Sequence, residues 1–252
     1  MGRVVLLTRD HPLCWVVANA LARSFPDLLA IVETTSSRFE IATRRRRRFG
    51  LKTVIGQAAF APLGRFVGHV SRRRFEEIVR THDLDVRAGR VAVTHVASIN
   101  GPAAIEVLHG IDPGVVAVAG TRVIGAKVLH SIGAPFLNLH AGITPAYRGT
   151  DTGYWALATG RPDCFGVTIH LVDRGLDTGP IVYQKRVRPE REDTIGTYAS
   201  LLIAEGIPLL IRALEDTLAG RLATRPAAGE SRLWTKPTIV QYLGNIVRHG
   251  VW

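Results

Sequence analysis

The sequence has little cysteine. Cys14 and Cys164 are the only two in 252 residues, they lie far apart, and neither belongs to a CxxC pair or to a histidine cluster at zinc-finger spacing. A disulfide-stabilised scaffold and a zinc module are therefore excluded. Free thiols of this kind are typical of a reducing compartment, so we expect a cytoplasmic location.

Acidic residues are too few to balance the basic ones. The chain has 32 Lys and Arg against 21 Asp and Glu, which gives a formal net charge of +11. Only four of the cations are lysines, so arginine supplies almost all of the positive charge. This excess predicts an anionic substrate or partner.

Long apolar runs are missing as well. The run at residues 4–7 is too short for the core of a signal peptide, and the longest uncharged stretch, residues 128–147, is interrupted by Pro135, His140 and Pro145. We therefore expect no membrane partner. No Walker loop, GxSxG elbow or HExxH motif is present, and no glycines follow the first predicted strand to hold a pyrophosphate. These absences disfavour kinases, hydrolases and NAD- or FAD-binding proteins.

Short apolar runs alternate with helical segments, which is typical of an α/β domain with a parallel sheet. The predicted strands are residues 4–8, 28–33, 91–96, 115–119, 136–139, 167–172 and 181–187. The predicted helices are residues 13–24, 102–108 (capped by Asn100), 151–158, 194–218 (bent at 206–208) and 237–247.

Two segments depart from this alternation. Residues 36–80 carry arginines at 44–48, 65 and 72–74 with phenylalanines between them, and we predict a basic insert of two or three short helices docked by those phenylalanines. Nucleic-acid binding and contact with a diphosphate are the alternatives for this insert. Residues 220–230 are typical of a linker, so we expect a main domain at 1–219 and a short C-terminal extension at 220–252.

The polar residues with the clearest chemical pattern lie after the fifth strand. Asn138 and His140 alternate along it and project to one face, where an amide donor and an imidazole can meet one reacting atom. A later glycine-bracketed loop carries Asp173 and Asp177. One of these carboxylates could orient His140 or relay its proton.

The order and spacing of these residues resemble the folate-dependent formyltransferase family. The resemblance extends over residues 91–184 and rests on Asn138, His140, Tyr147, Gly149, Gly166, Asp177, Gly179 and the segment Arg122–Ile124. It implies a Rossmann-like fold in which helices flank a mostly parallel sheet. It also implies an enzyme that transfers a formyl group from 10-formyltetrahydrofolate, its co-substrate, to a primary amine.

The resemblance also implies a role for individual residues. Catalysis is assigned to Asn138, His140 and Asp177; cofactor binding to Arg122, Val123, Ile124, Leu171, Val172 and Asp173; substrate binding to Tyr147, Arg148 and Gly149. No metal is expected. His170 is left without a catalytic role, as either a core histidine or a wall of the pocket.

The acceptor amine is the open point, because the family includes glycinamide ribonucleotide, methionyl-tRNA and sugar-nucleotide enzymes. Residues 9–12 replace the Gly-Ser-Asn turn that binds ribonucleotide phosphate, and only about 34 residues follow Leu218, too few for an RNA-binding barrel. Ala141-Gly142 also replaces the usual Pro-Ser. Residues 153–157 are similar to the sugar-formylating branch, so we expect a nucleotide-linked amino sugar.

Other functions stay open at this point. The first alternatives are glycinamide ribonucleotide and methionyl-tRNA as acceptors. A different class is a basic nucleic-acid-binding module on an inactive formyltransferase fold. A homodimer is an assembly that the sequence neither requires nor excludes.

Overall fold

The computed structural model describes residues 2–34, 46 and 50–252, and its centre is a seven-stranded sheet. The strands are β1 (Val4–Arg9), β2 (Leu29–Glu33), β3 (Ala92–Val96), β4 (Val115–Val118), β5 (Phe136–His140), β6 (Arg148–Gly149), β7 (Gly166–Leu171), β8 (Ile181–Arg186) and β9 (Leu233–Trp234). The helices are α1 (Pro12–Ser24), α2 (Leu51–Val70), α3 (Arg72–Thr81), α4 (Pro102–Ile111), α5 (Ala126–Leu129), α6 (Thr152–Ala158), α7 (Tyr198–Leu218) and α8 (Ile239–His249).

The strand order is β3-β2-β1-β4-β5-β7-β8, and β6 and β9 form a separate parallel pair. The first five strands of this order run parallel, whereas β7 is antiparallel to β5 and β8 is antiparallel to β7. The predicted α/β fold with a mostly parallel sheet is confirmed.

Alternation along β1 explains why helices cover both faces of the sheet. Val4 and Leu6 belong to the core cluster that includes α1 and α7, and Val5 and Leu7 belong to the cluster that includes α4. Because successive side chains of a strand point to opposite faces, a fully apolar strand needs a helical layer on each side.

The N-terminal ends of α1 and α4 are capped in different ways. Helix α1 begins at Pro12, and the Nδ1 atom of His11 accepts the backbone N–H of Leu13. The predicted cap of α4, Asn100, is wrong: Gly101 is the capping residue, without a side-chain bond. Asn100 instead donates to the carbonyl of Val123 and accepts the N–H of Gly125, which fixes the segment after β4.

The described part of the insert consists of α2 and α3. Helix α2 has 20 residues and continues through Pro62, so it is not short, and most of the arginine run at 44–48 lies outside the described residues. Phe60 docks α2, since its ring lies 4.8 Å from that of Tyr242 in α8. Phe66 does not, because 60% of its surface is exposed.

Arg74 of α3 connects the insert to the loop before α7. Its guanidinium donates to both carboxylate oxygens of Asp193, at 3.0 and 3.2 Å, and both side chains are buried. The carboxylates of Glu77 and Glu190 lie within 3.3 Å of the same group. The Asp193 hydrogen bond in particular holds the pKa of Arg74 above its ordinary value. Arg74 therefore serves the fold and is not available to a diphosphate.

Helix α7 also contains a proline in its interior, Pro208, and begins at Tyr198, four residues later than predicted. Residues 219–232 contain no helix or strand longer than a single bridge. Searched over the described residues, no helix has the length and apolar character needed to cross a membrane.

Candidate active site

Strands β5 and β7 bring three polar side chains together at one place in the sheet. Asn138 and His140 alternate along β5, as predicted, and the antiparallel register pairs Asn138 with His170 of β7. The Nδ2 atom of Asn138 lies 3.0 Å from Nε2 of His170. The two imidazole rings lie 6.3 Å apart.

The loop after β7 places Asp177 against this group. Its backbone is in the left-handed region, with φ 54°, a conformation that Asp and Asn tolerate better than most residues. One carboxylate oxygen accepts the N–H of Gly149 at 3.0 Å and lies 3.4 Å from Nδ1 of His140. The other accepts from Asn138 at 3.3 Å and lies 3.6 Å from His170.

These contacts decide the charge of Asp177. Burial alone would raise the pKa of its carboxyl, since a charge is costly away from water. The charge of His140, the contact with His170 and the N–H of Gly149 act in the opposite direction and outweigh burial. They lower the pKa of Asp177 to about 2, so an ionised carboxylate stands at the centre of the group.

Both nitrogens of His140 are engaged. Nε2 lies 2.8 Å from the carbonyl oxygen of Tyr147, and because a carbonyl only accepts, Nε2 carries hydrogen. Nδ1 lies 3.4 Å from a carboxylate oxygen of Asp177, which can accept a hydrogen bond from it. A substrate oxygen therefore reaches His140 only when Nε2 leaves the carbonyl of Tyr147.

Two cavities flank this group. One, of about 60 Å³, is lined by Asn138, His170 and Asp177 together with the segment after β4. The other, of about 70 Å³, lies beside His140 and is lined by residues of α6 and α7. Both are smaller than the several hundred Å³ typical of ligand pockets. Since each opens to solvent, a larger ligand would extend outward from them.

Five of the six residues predicted to bind a cofactor line the cavity beside Asn138. They are Arg122, Val123, Ile124, Val172 and Asp173. The sixth, Leu171, packs its side chain against the core instead. The guanidinium of Arg122 is fixed by an ion pair with the buried carboxylate of Glu33, at 2.7 Å. Apolar walls and a fixed backbone segment fit the edge of a planar heterocycle.

The predicted substrate-binding residues fall into two groups. Tyr147 is buried, its ring stacks on Trp234 and its hydroxyl pairs with Thr159, so only its carbonyl reaches the site. Gly149 lines the cavity beside His140, and its N–H holds Asp177. Arg148 donates to the carbonyl of Leu176, while its Nε atom is buried without a partner among the described residues.

Sequence reasoning named His170 only as a core histidine or a wall of the pocket, and it missed Trp234; His170 lines the cavity beside Asn138. His170 contacts Asn138 and Asp177, and the signal available was its alternation with Thr168 on a strand. Trp234 belongs to the C-terminal segment, yet its carbonyl accepts the N–H of Thr150 and β9 pairs with β6, so it supports Gly149. No local pattern indicates a pairing of two residues across 84 positions.

Groups of three or more His, Cys, Asp or Glu able to hold a metal ion do not occur among the described residues. The polar groups of the site are an amide, two imidazoles and one carboxylate. They can donate to a developing oxyanion and carry a proton, which is the equipment for acyl transfer to an amine.

Comparison with known proteins assigns this part of the chain. Residues 91–214, which include Asn138, His140, His170 and Asp177, match the family model described as formyl transferase. This part of the chain is a formyl transferase domain. The family resemblance expected from the sequence is confirmed.

The curated relatives are named for two acceptors, methionyl-tRNA and phosphoribosylglycinamide. The chain is 36% identical over 141 residues to the methionyl-tRNA formyltransferase of Halothermothrix orenii, which covers 56% of this chain and 44% of that protein. The alignments cover 41% and 39% of the next two curated relatives, so the chain spans less than half the length of these proteins.

Solved structures share the fold of the domain. Glycinamide ribonucleotide transformylase 1 from Symbiobacterium toebii has a TM-score of 0.58 at 20% identity and covers 90% of this chain and 95% of its own. A sugar N-formyltransferase from Shewanella sp FDAARGOS_354 has a TM-score of 0.56 at 17% identity, covering 92% and 76%. At these identities the likeness concerns the fold alone.

Proposed function

We propose that the protein transfers a formyl group from 10-formyltetrahydrofolate to a primary amine. One observation carries the proposal: the carboxyl group of Asp177, held by the N–H of Gly149 and the amide of Asn138, lies against both His140 and His170. Such a group is costly in a fold that uses it only for structure, because each buried polar atom needs a partner.

The residues would act on charge and on one proton. As the amine attacks the formyl carbon, negative charge develops on the formyl oxygen, and the amide of Asn138 and the Nε2–H of His140 would stabilise it. Asp177 would hold His140 in its cationic form. It would also accept the proton that the amine loses and pass it toward the departing folate nitrogen.

The folate co-substrate supplies the formyl group. The cavity beside Asn138 is where the residues fit it: Val123, Ile124 and Val172 form apolar walls, and Asp173 lies at the edge. Asn100 keeps the segment after β4 in place through its two hydrogen bonds. The amine would then approach from the side of the cavity that Gly149 lines.

The acceptor that we propose is an amino sugar linked to a nucleotide. At the turn between β1 and α1, Asp10 accepts from the indole of Trp15, and the N–H of Leu13 is taken by His11. A carboxylate and an occupied backbone donor disfavour a ribonucleotide phosphate at this turn. The net charge of +11 fits a diphosphate elsewhere on the surface.

Methionyl-tRNA is the second candidate. The names of the curated relatives favour it, and the same positive charge suits a phosphate backbone. A basic nucleic-acid-binding module without activity is the remaining alternative.

An acceptor panel tests the proposal. Formyl transfer to nucleotide-linked amino sugars, glycinamide ribonucleotide and methionyl-tRNA is followed by the release of tetrahydrofolate. We expect preferred turnover of an amino sugar. Preferred turnover of the ribonucleotide or the tRNA would overturn the acceptor but keep the chemistry. Absence of turnover with all three classes, in protein shown to bind a folate analogue, would overturn the activity.

We also propose residues 1–219 as the catalytic domain and 220–252 as an extension that supports it through β9 and α8. Cys14 and Cys164 are buried free thiols, which fits a cytoplasmic location.

A further inference from the structure

Helix α2 is apolar on two opposite sides. On its inner side Phe60 and Val67 are buried in the cluster that includes α8. On its outer side Ile55 and Phe66 are 59% and 60% exposed, and Leu51 and Val70 are exposed to a similar extent. A helix that is apolar all round is normally covered all round.

The outer residues form a continuous stripe. Leu51, Ile55, Ala59, Pro62, Phe66 and Val70 follow one another at intervals of four or three residues, the helical period, and all six are exposed. The stripe extends along the whole helix, about 30 Å at 1.5 Å per residue. Helix α8, which packs against the inner side of α2, is not part of this stripe.

We propose that this stripe is a homodimer interface, in which α2 packs antiparallel to α2 of a second copy around a two-fold axis. The spacing of the stripe is the same from either end. Antiparallel pairing about its midpoint therefore sets Leu51 against Val70 of the second copy, Ile55 against Phe66, and Ala59 against Pro62. A two-fold interface requires this kind of self-complementary surface.

Side-chain size follows the same symmetry. The large residues lie toward the two ends of the stripe, and the smaller Ala59 and Pro62 lie at its centre. Small residues at the crossing point let two helices approach closely, while the large side chains at the ends fill the space where they diverge. With about 100 Å² exposed on each of its four large side chains, the stripe supplies roughly half of the 800 Å² per partner of a standard interface, and Ala59 and Pro62 add to that area.

Charge is compatible with a second copy. Helix α2 has no acidic residue and carries Lys52, Arg65 and His69. In the antiparallel register Arg65 faces Gly56 of the second copy and Lys52 faces His69, so no arginine or lysine side chain opposes another. Phe66 is the only aromatic residue among the six of the stripe, so successive bases would find no series of rings to stack on, which disfavours a nucleic acid as the occupant. The stripe has the same spacing read from either end. A two-fold dimer requires that symmetry and a membrane surface does not, so the symmetry favours a second copy as the occupant.

Oligomeric state tests the proposal with the full-length chain. Light scattering after size exclusion should give twice the chain mass of 27.5 kDa for the wild type. Ile55→Glu and Phe66→Glu should each give the monomer mass with an unchanged circular dichroism spectrum. Ala228→Glu, at an exposed position outside the helices, is the matched control and should remain dimeric.

A cross-link tests the register independently of any loss of stability. The two copies of Ala59 would lie close to the axis, about three residue rises apart. Ala59→Cys should therefore cross-link with a short bismaleimide, whereas Ala228→Cys should not, and the native Cys14 and Cys164 are buried. A monomeric wild type, a dimer that both glutamate variants retain, equal cross-linking by the two cysteine variants, or binding of the monomer to anionic vesicles through α2 would each overturn the proposal.

Discussion

The polar residues at β5 and β7 and the outer face of α2 are opposite cases of one rule. At β5, β7 and the following loop, Asn138, His140, His170 and Asp177 each contact another polar group of the same chain. On the outer face of α2, large apolar side chains lie in solvent. Buried polar groups need partners inside the fold, whereas exposed apolar groups gain by meeting a second molecule. The polar groups of the first region therefore have their partners within the chain, whereas the apolar side chains of the second are where we propose that a second copy binds.

The largest effect should come from removing the charge at the centre of the polar group. Asp177→Asn keeps the left-handed backbone and removes the carboxylate that would accept the proton of the amine, so we expect kcat to fall by roughly a hundred- to a ten-thousand-fold, the range for loss of a general base. Asn138→Ala and His140→Ala each remove a proposed oxyanion donor and should lower kcat by roughly a hundred- to a thousand-fold with folate binding largely retained. Asp112→Asn, another left-handed aspartate, is the control. Near-wild-type rates in all three variants would contradict the proposed mechanism.

The next effect concerns stability and not chemistry. Arg74→Met leaves the carboxylate of Asp193 buried without its cation, and we expect the free energy of unfolding to fall by about 3–5 kcal/mol. Arg72→Met, which breaks an exposed pair with Glu76, should cost less than about 0.5 kcal/mol. Urea unfolding of the two variants measures the difference. Equal losses would show that Arg74 is not the anchor of the insert.

A smaller effect should appear in acid. The pKa of Asp177 is lowered to about 2 in the folded state, so the unfolded chain binds more protons than the folded chain between about pH 4 and pH 2. The stability that this carboxylate contributes is therefore present above about pH 4 and is lost as the pH falls toward about 2. We expect Asp177→Asn to remove about 2 kcal/mol of this acid dependence. Unfolding curves from pH 5 to pH 2 decide it; a dependence as steep as that of Asp112→Asn would contradict the assignment.

The sequence predicted the parts of the fold that depend on local periodicity. The alternation of Val4 to Leu7 and the position of Asn138 and His140 on one face of a strand follow from a period of two, which any strand obeys. Asn138 and His140 were therefore placed on one face without knowledge of strand order.

What the sequence did not predict depends on pairing between distant residues. The register that sets His170 opposite Asn138, the bonds of Asn100 to the segment after β4, and the support of Gly149 by Trp234 have no local signal. The phenylalanines of the insert illustrate the same limit: spacing alone does not distinguish the buried Phe60 from the exposed Phe66.

The smallest effect should arise at Arg148, which has a donor atom left for another molecule. The Nε atom of Arg148 is buried without a partner among the residues described, while its terminal nitrogen is fixed by the carbonyl of Leu176. An acceptor-substrate oxygen would satisfy it. Since this contact is remote from the reacting amine, it would stabilise ground and transition states alike, and Arg148→Met should raise KM for the acceptor roughly tenfold with little change in kcat. Arg65→Met, on exposed α2, should leave both constants unchanged. A fall in kcat equal to the fall in kcat/KM would instead place Arg148 at the reacting oxygen, inside the catalytic group.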